Sequence, residues 1–297
     1  MSRALSGAAS IRIPEDAAGM GVGREFSFTD ADFRNLARFA YEHAGIALGE
    51  SKRNLVYSRL SRRLRTLGLT SFRDYCEYLA STPSELEGFI NAISTNLTKF
   101  FREAHHFEHL RDHVAVPFAQ AALRTKGLRL RVWSAGCSTG EEPYTIAAVL
   151  RREIRNPAQH DVKILATDID TEVLSKAAAG IYSIDAIDEV PKSYREFFRA
   201  AGVRQPNTVS VAAELRALIT FRQLNLIGTW PFRGPFDAVF CRNVMIYFDN
   251  ITKTSLVERF TQILKPGGWL YIGHSESLLG VHPGLRLVGR TVYQRLP

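Results

Sequence analysis

Residues 133–144 read Trp-Ser-Ala-Gly-Cys-Ser-Thr-Gly-Glu-Glu-Pro-Tyr, placing Gly136 and Gly140 directly before Glu141 and Glu142. Glycines let a backbone approach a ligand without Cβ obstruction. Downstream, Ile164–Asp168 reads as a strand ending in a carboxylate, which can accept hydrogen bonds from two vicinal ribose hydroxyls. The loop is Gly-x-x-x-Gly rather than the Gly-x-Gly-x-x-Gly of dinucleotide folds, and no Gly-Lys-Ser/Thr of a P-loop is present. Two carboxylates at a helix N-terminus suit the dipole there, but they repel a pyrophosphate. The pattern points to a nucleoside without phosphates. S-adenosylmethionine fits, with its ribose hydroxyls, ammonium group and sulfonium. The plainer alternative is that Glu141 and Glu142 only cap a helix.

Other groups could join this site. Thr95–Glu103 places polar side chains beside a Phe pair, and Arg102 is the one group there able to hold a carboxylate bidentately. Asn225 and Leu226 end a third strand, and Cys241–Phe248 ends a fourth. Ligands of open α/β sheets bind beyond such carboxyl ends, where Tyr247 can offer a hydroxyl. His105, His109 and His113 share a helix face, but no carboxylate or cysteine pattern completes a metal site. They read as surface or domain-contact residues, and no metal is expected.

These side chains need elements to position them. Apolar spacing gives helices from Phe28 onward, over Ser51–Leu67, Ser71–Ala80 and Ser84–Ser94. Residues 26–88 thus read as a small all-helical domain. In its second helix Lys52, Arg53, Arg59, Arg62 and Arg63 occur without an intervening acid, which favours a binding face over a solvated one. Residues 89–297 alternate strands and helices: Val162–Thr167, Thr171–Ala179, Leu218–Gln223, Phe236–Cys241, Thr252–Leu264, Trp269–Ile272, then a hairpin of Leu285–Val288 and Val292–Arg295. Lys265–Gly268 reads as the turn between the last helix and its strand. Residues 182–217 break the rhythm and read as an insertion with its own small sheet. The expected class is α/β, a doubly wound, mostly parallel sheet closing on an antiparallel strand.

Residues 1–25 are rich in Ala, Gly and Ser and read as a mobile tail, not a signal peptide. No apolar run is long enough to span a bilayer. Cys76, Cys137 and Cys241 are scattered and odd in number, which favours a reducing cytoplasm over a disulfide framework. The net charge of +8 predicts an acidic partner. A monomer is the default expectation.

Assembled, these strings resemble the CheR family of chemotaxis receptor methyltransferases, protein-glutamate O-methyltransferases. The resemblance covers nearly everything after residue 26. It rests on Thr95–Glu103, Trp133–Tyr144, Thr167–Asp170, Cys241–Phe248 and Gly273-His274-Ser275-Glu276-Ser277-Leu278, all in order. It implies a class I S-adenosylmethionine-dependent methyltransferase fold, with S-adenosylhomocysteine as product. It implies cofactor contacts at Asn96, Thr98, Arg102, Glu142, Asp168, Asn225, Leu226, Arg242 and Asn243, Asp168 taking the ribose. It implies Arg102 and Tyr247 at the transfer site. It also implies that the basic helix meets acidic methylation helices of chemoreceptor cytoplasmic domains. In some members the inserted sheet docks a peptide from the receptor C-terminus, and residues 182–217 do not decide this.

Methyl transfer to a carboxylate, ionised above its usual pKa of ~4.3, needs no strong base, which agrees with the lack of a catalytic triad. Two rivals remain on the sequence: an RNA methyltransferase using the charge for phosphates, and a non-catalytic sensor of the cofactor. Arg242-Asn243-Val244-Met245 stands where adenine methyltransferases usually carry Asn/Asp-Pro-Pro-Tyr/Phe, so nucleic acid is not expected.

Overall fold

The computed structural model describes residues 24–202, 206–278 and 282–297. The expected tail lies outside these as far as Gly23. Its last two residues are anchored rather than mobile, Arg24 on Asn54 at 2.6 Å and Glu25 on Arg65 at 3.1 Å.

Helices α1 (Asp30–Ala44), α2 (Arg53–Leu67), α3 (Phe72–Ser81) and α4 (Glu85–Ile93) form the N-terminal unit. α1 starts at a capping box, in which the Thr29 hydroxyl accepts from the Asp32 N–H and the Asp32 carboxylate accepts from the Thr29 N–H. Such a cap contributes about 1 kcal/mol. The helix stops at Gly45, whose φ of 70° is the left-handed turn that releases a helix C-terminus. Phe33, Leu36, Ala40 and Ala44 of α1 pack with Val56, Leu60 and Leu64 of α2 and Phe72, Tyr75 and Leu79 of α3. Phe89, Ile90 and Ile93 belong to the same core. The helical unit therefore runs through Ile93, beyond the expected end at residue 88, because α4 packs its apolar face on α2 and α3.

The second unit is a seven-stranded sheet ordered β6-β2-β1-β7-β8-β10-β9, built from β1 (Arg129–Ala135), β2 (Asp161–Asp168), β6 (Ile219–Gln223), β7 (Phe236–Cys241), β8 (Leu264–Ile272), β9 (Leu285–Gly289) and β10 (Val292–Arg295). Counted along the chain within this sheet, the order is 3-2-1-4-5-7-6. The first five strands are parallel, and β10 runs antiparallel to both β8 and β9. Lys265–Gly268 is a bulge within β8 rather than a turn before it, since Phe236 pairs with Leu264 and Ala238 with Trp269. Helices α5 (His105–Leu110), α6 (Val116–Ala122), α7 (Glu141–Glu153), α8 (Thr171–Ala179) and α10 (Asn250–Ile263) accompany the sheet, with a π-helical segment joining α5 to α6. The insertion forms its own antiparallel sheet, β3-β5-β4, from Ile181–Ser183, Thr208–Val211 and Phe198–Ala200, followed by the short α9 (Ala213–Arg216). Among the described residues no helix is long and apolar enough to cross a membrane.

The basic face of α2 is compensated from outside the helix. Arg53 donates to the Phe28 carbonyl and pairs with Asp30 at 2.7 Å. Arg59 donates to the carbonyls of Ile93 and Ser94, each at 2.7 Å. Arg63 grips Glu85 with two bonds, and Glu85 is 3% exposed and also accepts from the Tyr75 hydroxyl. This corrects the reading of Lys52, Arg53, Arg59, Arg62 and Arg63 as one uncompensated face. The partners come from other segments, which spacing along α2 does not reveal. Of the five side chains, only Lys52 and Arg62 lack a hydrogen-bond or ion-pair partner among the described residues. Replacing Arg63 with Ala strands a buried carboxylate and is expected to lose about 2–4 kcal/mol, moderated by the partial exposure of the arginine. Arg62→Ala is expected to stay within about 0.5 kcal/mol. Urea unfolding of both variants checks this, and equal losses would contradict the assigned pairing.

Candidate functional site

A cavity of about 430 Å³ lies between the helical unit, the linker 94–102 and the carboxyl ends of β2, β6 and β7. Strand order reverses between β1 and β7, so this is the topological switch point of the sheet. All ten residues expected at the site, Asn96, Thr98, Arg102, Glu142, Asp168, Asn225, Leu226, Arg242, Asn243 and Tyr247, line this one cavity. Lys52, which caps α2, and Leu55 of α2 also reach it, whereas Arg53, Arg59, Arg62 and Arg63 do not.

Asp168 ends β2 with its carboxylate held by the Ser138 N–H at 2.8 Å and the Asp170 N–H at 3.0 Å. Two of its roughly four lone-pair sites remain for a ligand. Burial raises its pKa, and the two N–H groups pull the other way. Glu142, rather than Glu141, faces the cavity. The Glu141 carboxylate instead accepts from the Thr139 hydroxyl at 2.7 Å. Glu142 accepts from the Ser134 hydroxyl at 2.8 Å and from Arg242 at 3.0 Å. Burial pushes its carboxyl upward despite the opposing guanidinium.

Arg242 is 6% exposed and is committed within the protein. Besides Glu142 it contacts Glu103 at 3.4 Å and donates to the Arg102 carbonyl, and its guanidinium lies over the Phe107 ring. Glu103 in turn holds His274 at 2.7 Å. Asn96 donates to Asp170 at 2.7 Å, and the Asn225 amide donates to the His43 carbonyl at 2.6 Å. Arg102 donates to the Leu97 carbonyl at 2.8 Å and meets no carboxylate among the described residues. The Tyr247 hydroxyl lies 3.4 Å from the Thr95 carbonyl.

Both loop glycines are required by protein neighbours. A Cβ on Gly136 would fall 2.3 Å from Val244, and one on Gly140 would fall 2.8 Å from the Tyr182 hydroxyl. Ser138, Phe101, Glu103 and Asn243 carry positive φ, a strained state for non-glycine residues that collects at ligand sites. Glu276 fixes the last of these, a role that its motif did not reveal. Its buried carboxylate accepts from the N–H groups of Gly273 (2.6 Å), Asn243 (2.9 Å) and Ile246 (3.2 Å). The signal was an acid four residues past a β-strand end, which periodicity treats as a polar loop residue.

Glu103, His105 and His106 bring ligand-type atoms within 4.8 Å of one another. The Arg242 guanidinium beside Glu103 opposes a further cation. Burial first, and Arg242 next, hold His106 down to about 3, so it is neutral. His109 contacts the Tyr271 hydroxyl at 3.0 Å and packs on Trp269, with His113 stacked upon it. These are packing contacts between α5, the π-helical segment and β8.

The residues present fit S-adenosylmethionine. Asp168 can take ribose hydroxyls. Glu142 is a buried carboxylate whose upward shift a ligand ammonium would offset, and Leu224, Leu226 and Val244 offer apolar wall. The sign follows: a cationic ligand binds the ionised carboxylate, so affinity is expected to be flat near neutrality and to fall on acidification, beginning above the ordinary glutamate value of 4.5. Calorimetric titration of S-adenosylmethionine between neutral and acid pH tests this. Glu142→Gln is expected to bind more weakly at neutral pH, with the acid fall reduced. An unchanged profile would dissociate Glu142 from the ligand.

Two family matches divide the chain as the structure does. The CheR methyltransferase all-alpha domain matches residues 31–94, and the CheR methyltransferase SAM binding domain matches residues 96–293. A probable chemotaxis protein methyltransferase of Rhizobium etli is 47% identical over 81% of this chain and 90% of its own length. Chemotaxis protein methyltransferase 2 of Pseudomonas aeruginosa is 46% identical over 91% and 95%, and the chemotaxis protein methyltransferase of Escherichia coli is 44% identical over 90% and 91%. With the cavity, its carboxylates and this shared sequence together, the chain belongs to the CheR methyltransferase family, the S-adenosylmethionine-dependent methyltransferases of chemotaxis.

Proposed function

We propose that this protein esterifies glutamate side chains on the cytoplasmic helices of chemoreceptors, in the cytoplasm and as a monomer, for sensory adaptation. The observation that carries the reading is a cofactor-sized cavity lined by a guanidinium without a carboxylate partner among the described residues, Arg102, and a phenol, Tyr247. Bound S-adenosylmethionine supplies a methyl group on a sulfonium that leaves as a neutral thioether. The acceptor carboxylate is already ionised, so the protein's task is alignment and removal of water from the nucleophile.

In this reading Tyr247 donates its hydroxyl to the incoming carboxylate and orients one oxygen. Arg102 holds a carboxylate, of cofactor or substrate, while its bond to the Leu97 carbonyl limits where the guanidinium can point. A tighter grip on the nucleophile would lower its reactivity, so one bond already committed to the backbone suits a positioning role. Lys52, at the cavity, and Arg62, beyond it on α2, are free to meet acidic receptor helices. Arg53, Arg59 and Arg63 act through the fold instead. Their engagement also weakens a phosphate-gripping, RNA-directed reading. The outer strands β3 and β4 of the inserted sheet pair only with β5 among the described residues, which offers an edge that a receptor tail peptide could extend.

Each transfer would remove one negative charge from a receptor helix, relieving repulsion between neighbouring like charges. The test is incubation with methyl-labelled cofactor, a chemoreceptor cytoplasmic fragment and RNA. Base-labile label on the receptor is expected, whereas alkali-stable label on RNA or no transfer would overturn the reading. Tyr247→Phe is expected to lower kcat by about 10²-fold or less, the scale of one lost positioning contact, with cofactor affinity unchanged. A loss confined to affinity would remove Tyr247 from the transfer step.

A further inference from the structure

The opening of the cavity is bordered by large apolar side chains that face solvent. Leu97 is 82% exposed, Ile246 47% and Leu55 37%, and all three line the cavity. A single exposed leucine needs no explanation. Convergence of three on one functional opening does, since clustered exposed apolar surface marks interaction sites. Each is also close in the chain to, or bonded to, a polar residue of the cavity. The Leu97 carbonyl holds Arg102, Ile246 precedes Tyr247, and Leu55 of α2 stands three residues after Lys52, which caps that helix.

The cofactor does not explain them, because they stand in solvent at the entrance while its expected contacts lie deeper. The acceptor carboxylate does not explain them either, because it needs donors. What remains is the surface that carries the acceptor. A glutamate on a helix has its i±3 and i±4 neighbours beside it on the same face, so its entry brings those side chains against the rim. Lys52 and Arg62 supply the charge complement for the acidic residues of the same helix.

We propose that Leu55, Leu97 and Ile246 form an apolar docking rim that selects acceptor glutamates with apolar side chains one helical turn away on an acidic helix. This rests on the carboxylate-methylation reading and adds a basis for choosing among the glutamates of one receptor. The rim contributes binding of the substrate helix, while Arg102 and Tyr247 act on the carboxylate.

The test uses the full chain, Leu97→Ser and Ile246→Ser variants, and a receptor cytoplasmic fragment with or without Ser in place of the apolar residues one turn from an acceptor glutamate. Each enzyme variant is expected to lose about tenfold in kcat/KM, the worth of one buried aliphatic side chain, through KM and with cofactor affinity unchanged. The receptor substitution is expected to slow the wild-type enzyme similarly but to add little to Leu97→Ser, since contacting partners are not additive. Losses that multiply independently, or an unchanged kcat/KM in both enzyme variants, overturn the rim alone. Absence of base-labile label with the wild-type enzyme overturns both the rim and the reading it rests on.

Discussion

The site depends on one buried guanidinium. Arg242 sits at the carboxyl end of β7 and reaches Glu142 at the start of α7, Glu103 just past the linker, and the carbonyl of Arg102. A charge so buried is costly unless it is paired and hydrogen-bonded. Here the pairing draws three separate segments to one point. Removing either carboxylate would leave the cation with one acid instead of two, and removing the cation would leave both acids without their shared counter-charge. The cavity is therefore shaped by an internal charge balance that exists before any ligand enters.

That balance suits a transfer needing alignment more than proton movement. Glu142 is held by Ser134 and Arg242, and Asp168 by two backbone N–H groups, so neither carboxylate must reorganise greatly to meet a cofactor. Positive φ at Phe101, Glu103, Ser138 and Asn243 has the same logic. Each such residue costs of order 1 kcal/mol or more and persists only where its surroundings over-determine it. Glu276 on the Asn243 N–H and Asp168 on the Ser138 N–H are those surroundings. The loops around the cavity are thus strained but fixed, and preorganised groups accelerate a reaction without rearranging during it.

The fold was legible where burial repeats along the chain. Strands Phe236–Cys241 and Val292–Arg295 and helix Thr171–Ala179 stand where periodicity puts them. Phe89 was assigned to the wrong unit because an apolar residue does not announce which core it joins. The arginines of α2 were misread because Asp30, Glu85 and the carbonyls of Ile93 and Ser94 come from other segments. Gly136 and Gly140 read as letting the backbone approach a ligand, yet the atoms that exclude a Cβ there belong to Val244 and Tyr182. The site was legible as a set of strings, since strand ends in such sheets converge. What stayed hidden were the bonds between strings, above all Glu276, whose three partners are backbone groups that any residue type could supply.

The helical unit is a structural part of the cavity wall. The Ala47 N–H donates to the Tyr247 carbonyl at 2.8 Å, and Asn225 is bound to the carbonyl of His43. Gly45, required by its φ of 70° to end α1, also lies so close to the methyltransferase unit that a Cβ would fall 2.8 Å from Ile227. Arg59 fastens α2 to the carbonyls that begin the linker carrying Asn96, Thr98 and Arg102. A shift of α2 on meeting a receptor helix would thus pull on the segment that holds Arg102, and a ligand touching both walls would resist that shift. Binding in the cavity and any docking on α2 would be linked through a short covalent and hydrogen-bonded path, and by reciprocity each would alter the affinity of the other wherever that path yields.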